Sequence, residues 1–233
     1  MLIFRKLRKN LIENKKLKRY FIYAIGEILL VMIGILLAFQ VNRWNDKRLN
    51  RNAELTYYKN IKNQIIEDRA LISGEIDYNN WHKIQFEYAS DLIGKDDKTK
   101  LDSLGKIINR LLQYSDFDKE GNIYSTLVNS GEIKLLKNQD IVNRIRALEE
   151  KYNYINRMEN IHYDVVASFV IPSTNDIVNF YTNEIENSDP IFTFQFRNLI
   201  GKLLMIMTEK DQTYNSAISE IDAILLSIEE ELE

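Results

Sequence analysis

The sequence predicts an all-α protein, with one N-terminal transmembrane helix followed by an extramembrane helical bundle of long, coiled-coil-like helices. Three observations support this fold class. The stretch 20–42 is almost continuously apolar. Later apolar residues recur at steps of three and four, as on one face of a helix. The 233 residues include only two prolines and eight glycines, so few positions interrupt a helix.

The stretch 20–42 is the predicted transmembrane helix. At about 1.5 Å per residue, its first 22 residues extend roughly 33 Å and cross a hydrocarbon core of about 30 Å. Tyr20 and Tyr23 at one end and Trp44 at the other are the expected interface anchors, because aromatic rings with a polar edge favour that depth. The apolar run exceeds that of a signal peptide, so we expect an uncleaved anchor.

The charges that flank the span predict its orientation. Eight basic side chains precede it and four follow it, and the larger number belongs on the cytoplasmic side. We therefore expect a single-pass protein of the bacterial inner membrane, with a cytoplasmic N-terminus and residues 43–233 as a periplasmic domain with a stalk. Residues 1–19 either form a basic amphipathic helix on the inner leaflet or serve only as a positive flank. The predicted headgroup contacts are Arg5, Lys6, Arg8, Lys9, Lys15, Lys16, Lys18 and Arg19.

The charge of the chain changes after the span. Residues 1–51 carry twelve basic and three acidic side chains, whereas residues 52–233 carry 19 basic and 31 acidic ones. A domain this acidic is a poor candidate for binding nucleic acid, whose phosphates require basic side chains. The chain has no cysteine, which excludes disulfides and thiolate metal sites.

Beyond the span, the helix is expected to continue as a stalk. No glycine or proline occurs between Val41 and Gly74, and Gly74 is the one weak position. The next helical region ends at Gly94, a polar loop follows at 95–98, and residues 100–112 form another helix. The apolar stripe of the stalk comprises Leu55, Tyr58, Ile61, Ile65, Ile72 and Ile76, and that of the later helix comprises Leu101, Leu104, Ile107, Ile108 and Leu111.

Short elements lead into the second half of the domain. Residues 126–129 are predicted as a short helix that Gly131 ends in a left-handed conformation, and residues 132–136 as another short element. Asn138 or Asp140 is the expected N-cap of the helix that follows, because both side chains accept hydrogen bonds from the first free amides.

The helix after this cap has the clearest apolar period of the domain. Pro172 is expected to end it, since proline has no amide hydrogen. Ser173 or Asn175 is expected to begin a shorter helix through Phe180. The apolar stripe of the long helix comprises Ile141, Ile145, Leu148, Tyr152, Ile155, His162, Val166 and Phe169.

The last part of the chain is predicted as a helix with an acidic tail at 229–231, preceded by an apolar segment at 199–207. The alternation of Phe192, Phe194 and Phe196 fits either a strand or the first turn of a helix. The apolar positions of the last helix are Tyr214, Ala217, Ile218, Ile221, Leu225, Ile228 and Leu232.

Glu27 is the most unusual residue of the span, since a carboxylate is costly within the hydrocarbon region. It either reaches the headgroups or nearby cations, hydrogen-bonds across helices of an oligomer, or takes part in proton or ion transfer. Gly34 and Ala38, four residues apart, allow a second helix to approach closely. The predicted residues of membrane-helix association are Gly26, Glu27, Gly34 and Ala38.

The residues that most often carry chemistry are sparse. His82 and His162 are the two histidines, and His162 falls on an apolar stripe, which favours a packed side chain. Glu159 lies three residues before His162, but a metal site needs more ligands than this pair. The sequence has no phosphate-binding glycine loop and no nucleophile elbow. We therefore expect a protein that is not an enzyme and needs neither a metal nor a cofactor.

Two stretches of the sequence carry a resemblance. The first comprises YAIGEI at 23–28, IGILLA at 33–38 and QVNRWN at 40–45, and the second is LVNSGEIKLLKN at 127–138. Together they resemble an uncharacterised family of single-span, N-terminally anchored envelope proteins of Bacteroidetes-type bacteria. The resemblance implies the membrane topology and, if Glu27 and the glycines are family features, a role for them in the span. It implies no activity.

Three functions fit these observations. The first is a self-associating scaffold or assembly factor of the cell envelope, which is a homo-oligomer in the lipid bilayer and meets other envelope membrane proteins through its bundle. The second is an accessory subunit of an ion-coupled or force-transmitting complex in which Glu27 titrates. The third is a sensor whose acidic bundle binds a ligand or cation, although the sequence shows no pocket signature for it.

Overall fold

The computed structural model of the protein describes residues 17–119 and 123–233, with side chains from residue 21 onward. In these ranges the chain is helical, and the β pairing is limited to an isolated antiparallel bridge between Val178 and Ile185. The predicted all-α class is therefore confirmed. Residues 1–16, which hold most of the predicted headgroup contacts, lie outside the described residues.

Six α-helices are described, together with short segments of other helical types. Two 3₁₀ turns precede the second and fourth α-helices, at Lys98–Lys100 and Glu132–Leu135, and a π-helical turn lies at Val166–Val170. The α-helices are α1 (Leu17–Gly94), α2 (Leu101–Arg110), α3 (Ile123–Ser130), α4 (Gln139–Val165), α5 (Ile171–Thr174) and α6 (Phe194–Leu232).

Helix α1 is continuous, as the stalk prediction requires. It passes through Gly74 without interruption and ends at Gly94, the predicted terminus. The chain divides into two units with the boundary between Ala53 and Glu54. In the first unit every residue from 21 to 50 is exposed except the half-buried Ala24.

The segment around Gly131 folds as its sequence predicts. Gly131 has a φ of 74°, the left-handed conformation that ends α3, and its amide donates to the Val128 carbonyl at 3.1 Å. The Asn138 side chain is the N-cap of α4 and accepts hydrogen bonds from the amides of Asp140 and Ile141. The predicted caps at Gly131 and Asn138 are thus confirmed.

Pro172 does not end the long helix, contrary to the prediction. The π-helical turn Val166–Val170 precedes it, and Pro172 lies in the first turn of α5, where an amide hydrogen is not required. The wider turn also changes which side chain faces inward. Val170 is fully buried, whereas Phe169, a predicted stripe residue, is 55% exposed.

The predicted helix through Phe180 is also absent from the described chain. The Asn179 side chain accepts from the amides of Tyr181 and Thr182, and Asn183 has a φ of 64°, so two asparagines form a tight turn instead. This turn contacts α2 at Gly105, where a Cβ would lie 2.0 Å from the Asn183 carbonyl oxygen. Only glycine fits there.

Helix α6 begins one residue after its N-cap, Thr193, whose side chain accepts from the Phe196 amide. Of the two predicted alternatives for the phenylalanine alternation, the helical turn is therefore correct. The apolar segment 199–207 and the last helix form one continuous element. Helix α6 runs antiparallel to α4, since contacts join Arg144 to Glu220 and Tyr154 to Glu209.

The second unit, 54–233, has two hydrophobic clusters. The Ile65 cluster is formed by buried residues within 58–72 of α1, 141–155 of α4 and 214–228 of α6. The Ile108 cluster is formed by buried residues of α2 and within 86–93, 166–178 and 196–207. Most predicted stripe residues lie in one cluster or the other, and Leu55, Ile76, Leu101, Ile218, Leu225 and Leu232 are partly buried against them.

Candidate functional site

Helix α1 places three of the four predicted association residues on one face. Glu27 precedes Gly34 by seven residues and Ala38 follows it by four, so all three lie within about 40° of one another, whereas Gly26 lies about 80° or more from each of them. A Cβ added at Gly26 or Gly34 would meet nothing within 4 Å. Glu27, Gly34 and Ala38 are exposed in the chain, so this face is open to a neighbouring helix or to lipid.

The predicted interface anchors are described in part. Tyr23 is 57% exposed and Trp44 is 64% exposed, and the Arg43 guanidinium lies over the Phe39 ring at 5.7 Å from its centroid. The side chains of Tyr20, Lys18 and Arg19 lie outside the described set. The roles of these residues in a membrane stay predictions.

A layer of buried polar side chains separates the two hydrophobic clusters of the second unit. On each long helix the layer residues fall between the residues of one cluster and those of the other. Each is at most 4% exposed. We call them the polar layer: Asn79 and His82 on α1, Ser115 in the connection after α2, Glu159 and His162 on α4, and Lys210 on α6.

Glu159 is the centre of the hydrogen-bonded part of this layer. Its Oε1 atom accepts from the Tyr214 hydroxyl at 2.5 Å and from the Phe117 amide at 2.8 Å. Lys210 donates from Nζ to the Ser115 carbonyl oxygen at 2.7 Å. The Tyr214 hydroxyl also lies 3.2 Å from Ser115 Oγ, so one connected group joins α4, α6 and the segment after α2.

Burial shifts the titration of both charged groups in the layer. Desolvation raises the pKa of Glu159 to about 7, although the hydrogen bonds from Tyr214 and Phe117 and the nearby Lys210 oppose the shift. Desolvation lowers the pKa of Lys210 to about 8, while Glu159 and Glu75 are among the acids that oppose that shift. A proton at Glu159 is therefore exchanged near neutral pH.

Helix α1 contributes amide and imidazole groups to the layer. Asn79 donates from Nδ2 to the Met207 carbonyl oxygen at 2.9 Å and to Asp211 Oδ1 at 2.5 Å. Lys83 pairs with the other oxygen of Asp211 at 2.8 Å. The ring nitrogens of His82 lie 2.9 Å from the Tyr78 carbonyl oxygen and 3.0 Å from Gln113 Oε1.

His162 is packed in the layer, as its position on the apolar stripe predicts. It is fully buried, and neither ring nitrogen has a hydrogen-bond partner among the described residues. Its ring centroid lies 5.9 Å from that of Tyr114. Desolvation, followed by the charges of Lys210 and His82, lowers the pKa of His162 to about 3, so the ring is neutral at physiological pH.

A surface depression of about 440 Å³ opens above Glu159. Its walls include Tyr114 and Tyr163, whose rings meet edge to face at a centroid distance of 5.8 Å. The remaining lining residues are Asp116, Phe117, Asp118, Asn156 and Asn160.

The described residues include no group of three or more His, Asp or Glu side chains that could hold a metal ion. Glu159 and His162 lie three residues apart on α4, as their spacing requires. Glu159, however, bonds to Tyr214 and Phe117. Glu159 is therefore held within the polar layer and does not pair with His162.

Two charged residues of the polar layer stand at positions of apolar stripes in the sequence. Glu159 lies four residues after Ile155, and Lys210 lies three after Met207 and four before Tyr214. Both charged residues therefore occupy positions of apolar stripes. A charge at a core position of a helix is rare unless it is paired or functional, and this alone marks both residues.

Comparison with known proteins gives a family and no activity. The model of a family of unknown function (DUF6090) matches residues 27–209. No curated protein and no solved structure matches the chain. Among the described residues, one helix, α1, is long and apolar enough by length and composition to cross a membrane, and none of its most apolar stretch is buried.

Proposed function

The chain belongs to this family of unknown function, and we propose that it is a membrane-anchored, non-enzymatic scaffold or assembly factor that self-associates through its span. One observation carries the proposal. The apolar part of α1 is exposed around its full circumference, and within it Glu27, Gly34 and Ala38 share one face. Lipid contacts the apolar surface on every side, whereas the small residues Gly34 and Ala38 allow a second helix to approach closely on this face.

The proposal includes a location and a topology. The larger number of basic residues before the span supports a cytoplasmic N-terminus in a bacterial inner membrane, with residues 43–233 in the periplasm. In that compartment the helical domain would meet the periplasmic parts of other envelope proteins. The sequence signatures of common enzyme classes are missing from the chain, which favours a binding role over catalysis.

The test of self-association compares two substitutions in the span. Full-length protein in zwitterionic nanodiscs or mild detergent is measured by mass photometry over a range of concentrations. Gly34→Leu places bulk on the proposed face, and we expect it to convert an oligomer into a monomer. Leu36→Phe adds bulk on the opposite face and should leave the oligomer intact. A wild-type protein that is monomeric at every concentration would falsify the proposal.

A second function is favoured by Glu27 alone, because a carboxylate inside the apolar stretch is expensive unless it is used. In this alternative the chain is an accessory subunit of an ion-coupled or force-transmitting complex. Glu27→Gln should then abolish the function of the complex and leave expression and oligomer size unchanged. If the Gln variant complements a deletion strain as well as wild type does, the alternative is wrong.

A further inference from the structure

We propose that a depression at the end of α2 binds a small oxyanion through a carboxylate or phosphate group. This depression, the α2 depression, has a volume of about 380 Å³ and is lined by Lys106, Asn109, Arg110, Gln113 and Asn183. Its volume suits a small molecule rather than a single ion. The site lies within the helical domain and does not depend on association through the span.

The lining of the α2 depression is positive, although the domain around it is acidic. Residues 52–233 carry 31 acidic and 19 basic side chains, yet the described lining contains two basic residues, three amides and no acid. Asp102 pairs with Lys106 at 2.9 Å, but the two side chains are 83% and 54% exposed, so water weakens this pair. The depression therefore attracts a negative group, whereas the acidic surface elsewhere repels one.

Arg110 is the charged group of the lining that has no polar partner. Its guanidinium lies over the Trp81 ring at 4.7 Å from the centroid. Its side chain makes no hydrogen bond and no ion pair within the described part of the chain. Contact with the ring restrains the guanidinium and leaves its N–H donors available to a ligand. Such a group suits the two oxygens of a carboxylate or phosphate, which it binds through parallel hydrogen bonds.

Two amide side chains of the lining also have donors without a partner. Gln113 Oε1 lies 3.0 Å from His82 Nε2, and Asn183 Oδ1 accepts from Asn109 Nδ2 at 2.7 Å. The amide nitrogens of Gln113 and Asn183 have no hydrogen-bond partner among the described residues. In both side chains the oxygen is engaged and the NH₂ group is not. The depression therefore offers donors to a ligand, which favours an anion over a cation.

Three segments of the fold hold these donors in place. His82, which is 2% exposed, contacts Gln113 from α1, and Trp81 of the same helix contacts Arg110. Asn183 belongs to the turn that packs closely on α2. Donors that are held before a ligand arrives lose less conformational entropy on binding. This support distinguishes the α2 depression from a chance group of exposed basic side chains.

The experiment measures the binding of inorganic phosphate and of succinate to full-length protein in zwitterionic nanodiscs. Isothermal titration calorimetry in a chloride buffer at neutral pH is the method. We expect saturable binding that Arg110→Gln weakens at least about tenfold, the effect of removing charged hydrogen bonds. Arg146→Gln, which removes an exposed arginine of α4 outside the depression, is the matched control and should bind as wild type does. Circular dichroism verifies that both variants are folded.

Two further variants sharpen the test. Arg110→Lys keeps the charge and loses the planar guanidinium, so we expect an affinity between those of wild type and Arg110→Gln. Lys106→Gln changes an exposed side chain and should weaken binding by a smaller factor than Arg110→Gln does. Because this second position is exposed, the proposal can be tested even if Arg110→Gln does not fold.

The two probes distinguish the sources of the oxyanion. Tighter binding of phosphate supports the site with a phosphate-bearing ligand, and tighter binding of succinate supports it with a carboxylate. Three results would overturn the proposal. They are no saturable binding of either probe by wild type, unchanged affinity in the Arg110→Gln variant, and an equal loss in the Arg146→Gln variant, which would indicate only a general effect of net charge.

Discussion

The apolar side chains of this chain are exposed in one unit and buried in the other. Between residues 21 and 50 the apolar side chains of α1 point in every direction and are exposed. In 54–233 they form stripes that are buried in two clusters. Each unit also contains charged exceptions, Glu27 in the first and Glu159 with Lys210 in the second. The difference follows from the distribution of apolar residues, which lie on every face of the helix in the first segment and on one stripe of each helix in the second unit.

The sharpest contrast comes from truncating one apolar side chain in each unit. Ile108→Ala removes a fully buried side chain and should lower the free energy of unfolding of the domain by about 3 kcal/mol. Leu30→Ala truncates a side chain that is 70% exposed in the predicted span, and it should change the free energy of unfolding by less than about 0.5 kcal/mol. Urea unfolding in mild detergent, followed by far-UV circular dichroism, measures both. Equal effects would mean that the span and the domain unfold as one unit.

A second substitution tests whether the polar layer is a coupled unit. Lys210→Met removes the donor to the Ser115 carbonyl and the cation near Glu159, and should destabilise the domain by about 2 kcal/mol. Adding Glu159→Gln to this variant should recover part of the loss, because no charge then remains buried in the pair. A double-mutant cycle of urea unfolding measures the recovery. Additive losses would show that the two residues act independently.

Burial of His162 predicts that the domain is sensitive to acid. Because burial lowers the pKa of His162 to about 3, its stabilising contribution is complete above the unfolded pKa of about 6.5 and is lost as the pH falls through 3. Between pH 6.5 and pH 5 this loss amounts to about 2 kcal/mol. His162→Phe should flatten the fall in the urea midpoint over that range. An unchanged slope in the variant would mean that other groups cause the acid sensitivity.

Glu159 contributes a pH dependence of stability that is opposite in sign to that of His162, and this provides an internal control. Its pKa is raised to about 7, so its stabilising contribution is complete below about 4.5 and is lost as the pH rises through 7. Acidification therefore stabilises the domain through Glu159 while it destabilises the domain through His162. In the Glu159→Gln variant the urea midpoint should fall more steeply on acidification than in wild type.

The smallest expected change in stability comes from replacing one glycine in each unit by alanine. Gly131→Ala forces a Cβ into a left-handed conformation and should lower the free energy of unfolding by about 1 kcal/mol, although space is available around the position. Gly34→Ala lies in a helix with an open environment and should leave domain stability unchanged. Urea midpoints of both variants test this. A neutral Gly131→Ala would mean that the turn adopts another conformation at little cost.

Much of the helical layout could be predicted from local patterns. Gly94 and Gly131 ended helices, and Asn138 began one, because their backbone and capping preferences act within one turn. Local rules failed at Pro172 and Phe169. There a π-helical turn shifted the register, and no short pattern in the sequence announces such a turn.

The meeting of Glu159, Lys210 and Ser115 in the candidate site could not be predicted from local patterns. Glu159 and Lys210 are 51 residues apart in the sequence, and Ser115 lies 44 residues before Glu159. Each position alone could be flagged as a charge or polar group on an apolar stripe. Their meeting depends on the antiparallel packing of α4 against α6 and on the path of the connection after α2, which are long-range properties of the chain.

Neighbouring residues are enough to specify an all-α chain, an apolar helix near the N-terminus, the apolar stripes and most of the caps. Long-range packing sets which stripes meet, the turn at Asn179 and Asn183, and the division of the core by a buried polar layer. The two groups of features differ in the range of the interactions that produce them. Helix formation and capping are settled within a few residues, whereas burial and the pKa of Glu159 depend on side chains brought together from distant segments.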